Sequence, residues 1–217
     1  MKKIRVFYKK YGRMIFVSHL DMNRYFIRLL RLSKLPIWYT EGFNPHPYIT
    51  FALPLSLGYE SNYEVVDFRI QDDSLSYEYI KLKLQEAAVE GIEIIKATDP
   101  VNKPSVIKSA EYVIRFAKKI DENKLSDFLK QEEIIITKLT KKKKEKQINI
   151  AEMIFGFEFL NSSDGNTTLK LVLAAGATEN LNPSTVLQTY EEQNKPKLPF
   201  YKTTRNMLFD ENGEEFI

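Results

Sequence analysis

Apolar and polar positions alternate over residues 3–8 (KIRVFY), which predicts a strand. After a Tyr11-Gly12-Arg13 turn the period changes. Met22, Tyr25, Phe26, Leu29 and Leu30 recur at helical spacing behind Ser18, a good N-cap with Asp21 at the third helical position. A helix is therefore predicted from residue 18 to about residue 34, where Pro36 biases Leu35 away from helical angles. Short strands are expected at 37–39 and 48–53, then a longer one at 62–70. Leu75, Tyr79, Leu82, Ala87 and Val89 mark an amphipathic helix over 75–89, ended by Gly91, before a strand at 92–97.

The second half repeats this order loosely. A strand at 110–117 precedes a helix at 121–130 started by Asp121. A strand at 133–139 has a hairpin partner at 147–150. Strands at 151–160 and 168–174 flank Ser162-Ser163-Asp164-Gly165-Asn166, a strong hairpin signal. Asn182-Pro183 opens a helix to about residue 193, with proline at its favoured first position, and 200–209 closes as a strand.

With 37–39 taken as an addition to the second strand, residues 1–99 read β-α-β-β-α-β. The expected fold is α+β: two tandem ferredoxin-like (βαββαβ) halves with antiparallel sheets, at 1–99 and 105–209, joined by the proline-bearing linker 99–104 and followed by a loose tail at 210–217. A single mixed α/β domain is the alternative.

Charge changes the picture in one place. Residues 1–50 carry ten Lys/Arg against Asp21 and Glu41, a balance of +8, whereas the whole chain is only +3. A basic N-terminal quarter on a mildly acidic body points to an anionic partner, against the plainer reading of a solvated edge. Arg24, Arg28 and Arg31 fall within an arc of about 60° on the predicted helix. Only Asp21 can pair with them along that face, and unpaired arginines suit bidentate binding of phosphate or carboxylate. The lysines at 138, 141–144 and 146 would extend that track if they share its face.

Both histidines and the sole tryptophan, Trp38, lie between Ser18 and Glu64. His46 stands between Pro45 and Pro47, which stiffen its loop, with Gly42 for any positive φ and Phe43 as an apolar plug or stacking face beside Asn44. Tyr39 and Trp38 are further stacking candidates. His19 follows the cap, where a structural hydrogen bond is the common role. The two histidines as acid and base of a metal-independent endoribonuclease are the enzymatic alternative. No histidine–carboxylate spacing matches a metal motif, so no metal site is expected.

The absence of cysteine excludes disulfides, thiolate catalysis and cysteine-held iron–sulfur clusters. No apolar run approaches the roughly 18 residues of a membrane span, and the first residues lack a signal-peptide apolar region, so a cytoplasmic protein is expected.

Ser18-His19-Leu20-Asp21, Leu35-Pro36, Gly42-Phe43-Asn44-Pro45-His46-Pro47, Phe51-Ala52, Pro54-Leu55, Leu57-Gly58, Ser61, Glu64 and Asp67 together resemble the bacterial radical-SAM-linked family, a domain of unknown function. It occurs as a separate protein or as the C-terminal part of a radical SAM protein with a cobalamin-binding domain. The chain departs mildly from the family at Thr40, Leu29 and Leu32. The resemblance implies a non-catalytic partner that binds or presents substrate, RNA or a phosphorylated molecule. The radical SAM partner would carry SAM, the iron–sulfur cluster and cobalamin, this chain binding no cofactor. His19, Asp21, Arg24, Gly42, Phe43, Asn44, His46, Ser61, Glu64 and Asp67 are the residues it carries over. A protein–protein adaptor for the radical SAM partner is the remaining alternative.

Overall fold

The structure is a computed structural model, and the residues it describes are 1–139, 145–160, 165–176, 178–195 and 197–217. The chain is α+β, with antiparallel strand pairing and four α-helices among the described residues. It divides into two compact units, Met1–Val106 with Glu215–Ile217, and Ile107–Glu214.

In the first unit β1 (Lys2–Lys10) is followed by a 3-10 turn and α1 (His19–Leu32), then β2 (Thr50–Phe51), β3 (Glu60–Ile70), α2 (Tyr77–Ala87) and β4 (Ile92–Thr98). The strands run β4-β1-β3, with β2 also pairing with β3, all antiparallel. Ile4, Val6 and Tyr8 of β1 lie opposite Phe68, Val66 and Glu64 of β3. The apolar members of that face pack with Met22, Phe26, Leu29 and Leu30 of α1 and with Ile80 and Leu84 of α2. Each such side chain removed from water contributes roughly 1.5–3 kcal/mol, so the two helices are held mainly by this burial.

Local chemistry sets the ends of α1. The Ser18 hydroxyl accepts from the Asp21 main-chain N–H at 3.2 Å and donates to Asp21 Oδ2 at 2.7 Å. At the other end Ser33 Oγ donates to the Leu30 carbonyl and Lys34 takes a left-handed φ of 56°, which breaks the helical path before Pro36. The short strands expected at 37–39 and 48–53 shrink. Residues 37–39 leave only the bridges Ile37–Ile70 and Tyr39–Pro47, and 48–53 leaves Thr50–Phe51. Pro36, Pro47 and Pro54 each lack the N–H a strand ladder needs.

The second unit comprises β5 (Ser109–Phe116), α3 (Glu122–Leu129), β6 (Ile135–Leu139), β7 (Glu145–Asn149), β8 (Ile154–Leu160), β9 (Thr168–Ala174), α4 (Pro183–Asn194) and β10 (Tyr201–Phe209). Its strands run β10-β5-β9-β8, with β6 and β7 as a separate hairpin. Asp121 caps α3 by accepting from the Lys124 N–H, and Ile114, Leu125, Phe128, Leu171, Val186 and Leu187 are fully buried. The lysines at 141–144, and the side chain of Lys138, lie outside the described residues, as does most of the 162–166 turn.

The chain's last residues are not a loose tail. Phe216 is 0% exposed and lies under the Arg5 guanidinium, 4.5 Å from ring centroid to Cζ. The main-chain oxygen of Ile217 accepts from Arg5 Nη1 at 2.7 Å and from the Asn102 N–H at 3.2 Å. Burial of an aromatic ring and these donors hold the segment. No helix of the described residues is long and apolar enough to cross a membrane.

Candidate functional site

The α1 helix presents its arginines outward. Arg24, Arg28 and Arg31 are exposed, on the side away from the buried Met22, Phe26, Leu29 and Leu30. They are not equivalent. Arg24 Nη1 donates to Asp21 Oδ1 at 2.9 Å, while Arg28 and Arg31 have no ion pair among the described residues. The Ser18 hydroxyl, and then Arg24, hold the Asp21 carboxyl below the ordinary aspartate range. Leu20 and Leu32, 72% and 56% exposed, share this outward face, so it is mixed basic and apolar.

The Gly-Phe-Asn-Pro-His-Pro loop is closed on itself. The Thr40 N–H donates to the His46 carbonyl at 2.9 Å, and the His46 N–H returns to Thr40 Oγ1 at 3.2 Å. His46 Nδ1 lies 2.9 Å from the Asn44 main-chain oxygen. A carbonyl only accepts, so Nδ1 carries a proton and Nε2 is the ring nitrogen left for solvent or a ligand. Gly42, at φ 129°, occupies a backbone region open to glycine, and next to it Phe43 projects into solvent with its whole side chain exposed. Tyr39 is half-buried against the core and so offers little free face for stacking.

His19 sits elsewhere. Its ring meets the edge of Phe51 at 5.2 Å and lines a small cavity with Lys10, Glu64, Tyr8, Met22 and Leu53. Lys10 and Glu64 are buried, and Lys10 Nζ donates to the Val17 carbonyl at 3.0 Å. The cavity, about 10 Å³, holds no more than a water molecule. His46 is not among its lining side chains. The sequence motif thus separates into an exposed arginine face, a self-braced loop and a packed, charged interior. No group of three or more His, Cys, Asp or Glu side chains among the described residues is placed to hold a metal ion.

Sequence reasoning reached Asp67 through the resemblance and Trp38 as a stacking candidate, and passed over the arginines they meet. Asp67, buried Arg5 and Arg69 lie on the β1–β3 face opposite the helices, where Lys3 pairs with Arg69 and Arg5 with Asp67. Arg5 Nε and Nη2 donate to the two Asp67 carboxylate oxygens at 2.8 and 2.7 Å. The Arg69 guanidinium lies over the rings of both Trp38 and Tyr48, 5.2 and 5.1 Å from their centroids. Arg5, Tyr48, Asp67 and Arg69 border a groove of about 390 Å³ that is also lined by Pro100, Val101, Asn102, Lys103 and Pro104. The available signal was a single charge inside an otherwise apolar strand, Arg5 in IRVFY and Asp67 in VVDF.

A family model described as "Uncharacterized protein conserved in bacteria (DUF2344)" matches residues 3–183. No curated protein matches the chain. Among solved structures, one chain of the "Crystal Structure of a Cbf5-Nop10-Gar1 Complex" is similar at a TM-score of 0.49 and 11% identity, covering 96% of this chain and 50% of that one. The present chain therefore spans about half the length of that structure's chain.

Proposed function

We propose that this chain, which belongs to that family of bacterial proteins, is a binding and substrate-presenting module that takes RNA or a phosphorylated substrate beside a radical SAM enzyme. The observation that carries the reading is the outward face of α1, where Arg28 and Arg31 stand exposed with no carboxylate partner among the described residues. A guanidinium free of intramolecular partners keeps its donor fork for phosphate. Exposed Phe43 supplies a stacking face for an unpaired base. The radical SAM association rests on the motif resemblance. Any radical chemistry would belong to the partner, since a cluster needs cysteine ligands this chain does not have.

We read both units as ferredoxin-like. Numbering the four main strands of each in chain order, both follow 4-1-3-2, with the β6–β7 hairpin inserted in the second. Such folds host many activities, so the functional reading rests on the arginine face.

The test is fluorescence anisotropy of a labelled single-stranded RNA oligomer with the full chain across a potassium chloride series. Arg28→Ala with Arg31→Ala should weaken binding and flatten the slope of log affinity against log salt by about 1.4, at about 0.7 per lost contact to a single strand. Unchanged affinity and slope would remove the arginine assignment. A second reading is a protein–protein adaptor, favoured by exposed Leu20 and Leu32 on the same helical face. Co-purification from the native cell of a radical SAM protein without RNA would select it.

A further inference from the structure

The groove across β1, β3 and the 100–104 segment carries a charge arrangement that the chain does not itself balance. Lys3 and Arg69 occupy directly opposed positions in the β1–β3 register. Like charges facing each other across antiparallel strands destabilise the pair. A third cation, Lys103, lines the same groove from the linker side. One carboxylate lines it, Asp67, and both of its oxygens are held by Arg5. Neither Lys3 nor Lys103 makes a side-chain ion pair among the described residues.

Arg69 is prepared as a receptor in a way the lysines are not. It lies over the rings of Trp38 and Tyr48, two cation–π contacts that restrain it, and its N–H edge has no carboxylate partner among the described residues. An edge presented in that manner matches the paired oxygens of a phosphate. Pro100, Val101 and Pro104, beside Asn102 and Lys103 on the linker, and Tyr48 add apolar surface to the groove. At about 390 Å³ the groove lies in the size range, roughly 300–1,000 Å³, that encloses small organic ligands.

We propose that this groove binds a nucleoside monophosphate, its phosphate held by Lys3, Arg69 and Lys103 and its planar base against the Tyr48, Pro100 and Val101 side. The site shares no residue with the arginine face of α1, and either can fail without the other. Three cations and an apolar surface line the same groove, which suits a phosphate joined to a planar body better than a bare anion. Phosphate bound between Lys3 and Arg69 would also turn their mutual repulsion into shared attraction.

Trp38, the only tryptophan, lies 5.2 Å from the Arg69 Cζ by its ring centroid and so reports on the groove through that arginine. Its emission in the full chain should change saturably with AMP, GMP, CMP or UMP, and at least tenfold more weakly with adenosine or inorganic phosphate. Lys3→Ala and Lys103→Ala, both at exposed positions, should each weaken nucleotide binding about fivefold to tenfold. Arg69→Lys should weaken it as much, because an ammonium keeps the charge and loses the planar fork. Arg28→Ala with Arg31→Ala should leave it unchanged while reducing RNA binding. Circular dichroism establishes that each variant is folded. The proposal is overturned by no saturable response to any of the four nucleotides, by equal binding of inorganic phosphate and AMP, or by folded Lys3→Ala and Lys103→Ala chains that bind normally.

Discussion

Replacing Phe216 by alanine separates a packed C-terminal segment from a loose one. The ring is wholly buried and forms the floor beneath Arg5, itself 0% exposed. Truncating a buried phenylalanine costs about 3–5 kcal/mol through lost transfer energy and the cavity left behind. Arg5 also loses a cation–π face, although its bidentate contact with Asp67 remains. Urea unfolding followed by Trp38 emission reads this in the right unit, since the tryptophan lies within Met1–Val106. At a slope of about 2 kcal/mol per molar urea, a loss of 3–4 kcal/mol moves the midpoint down by about 1.5–2 M. Phe216→Leu keeps most of the volume and should lose only about 1–2 kcal/mol, which guards against a chain too unstable to measure. A midpoint for Phe216→Ala within about 0.3 M of the parent would refute the reasoning, because that is the response of an exposed tail.

Two further outcomes follow from capping and burial. Ser18→Ala should destabilise the first unit by about 1 kcal/mol, measured by the same unfolding assay; the carboxyl of Asp21, released from the hydroxyl that chiefly depresses its titration, should then protonate at higher pH in a carbon-detected NMR titration. In the parent chain, that stabilisation holds above the ordinary aspartate value and disappears as pH falls through the lowered folded value. Tyr63 is pushed up to about 12, first by burial and then by Glu215, with Arg5 acting in the opposite sense. Its neutral form is favoured in the folded chain, so this contribution is full below about pH 10 and is lost as pH rises towards 12. An ultraviolet phenolate titration should lose one late-ionising tyrosine in Tyr63→Phe; a late-ionising part of the curve unchanged by that substitution would contradict it.

What could be read from the sequence followed the range of the interactions. Both ends of α1 were legible because Ser18, Asp21 and Pro36 act within a turn of the residues they govern. The long strands were legible from alternation. The segment from Pro36 to Pro54 was not, since alternation there suggests strands while the prolines withhold the N–H groups a ladder requires. Tyr39 looked available for stacking, but its core packing depends on where β3 lies. Phe216 was illegible for a plainer reason: its partner Arg5 is at the opposite end of the chain, and Glu214-Glu215-Phe216-Ile217 taken alone looks like solvated tail. Lys3 and Arg69 each read as an ordinary surface charge until the register sets them face to face.

The contact between Arg5 and Phe216 imposes an order on biosynthesis. Arg5 is made well before the ring that covers it, which follows only after the 108 residues of Ile107–Glu214 have been translated. At roughly 5–20 residues per second the ribosome needs on the order of 5–20 s to supply it. Throughout that interval the nascent first unit has an uncovered guanidinium on its sheet and no anchor for the Asn102 amide. Premature termination anywhere in the second unit would therefore leave the first unfinished as well, tying the first unit's structure to translation of the residues that follow the second.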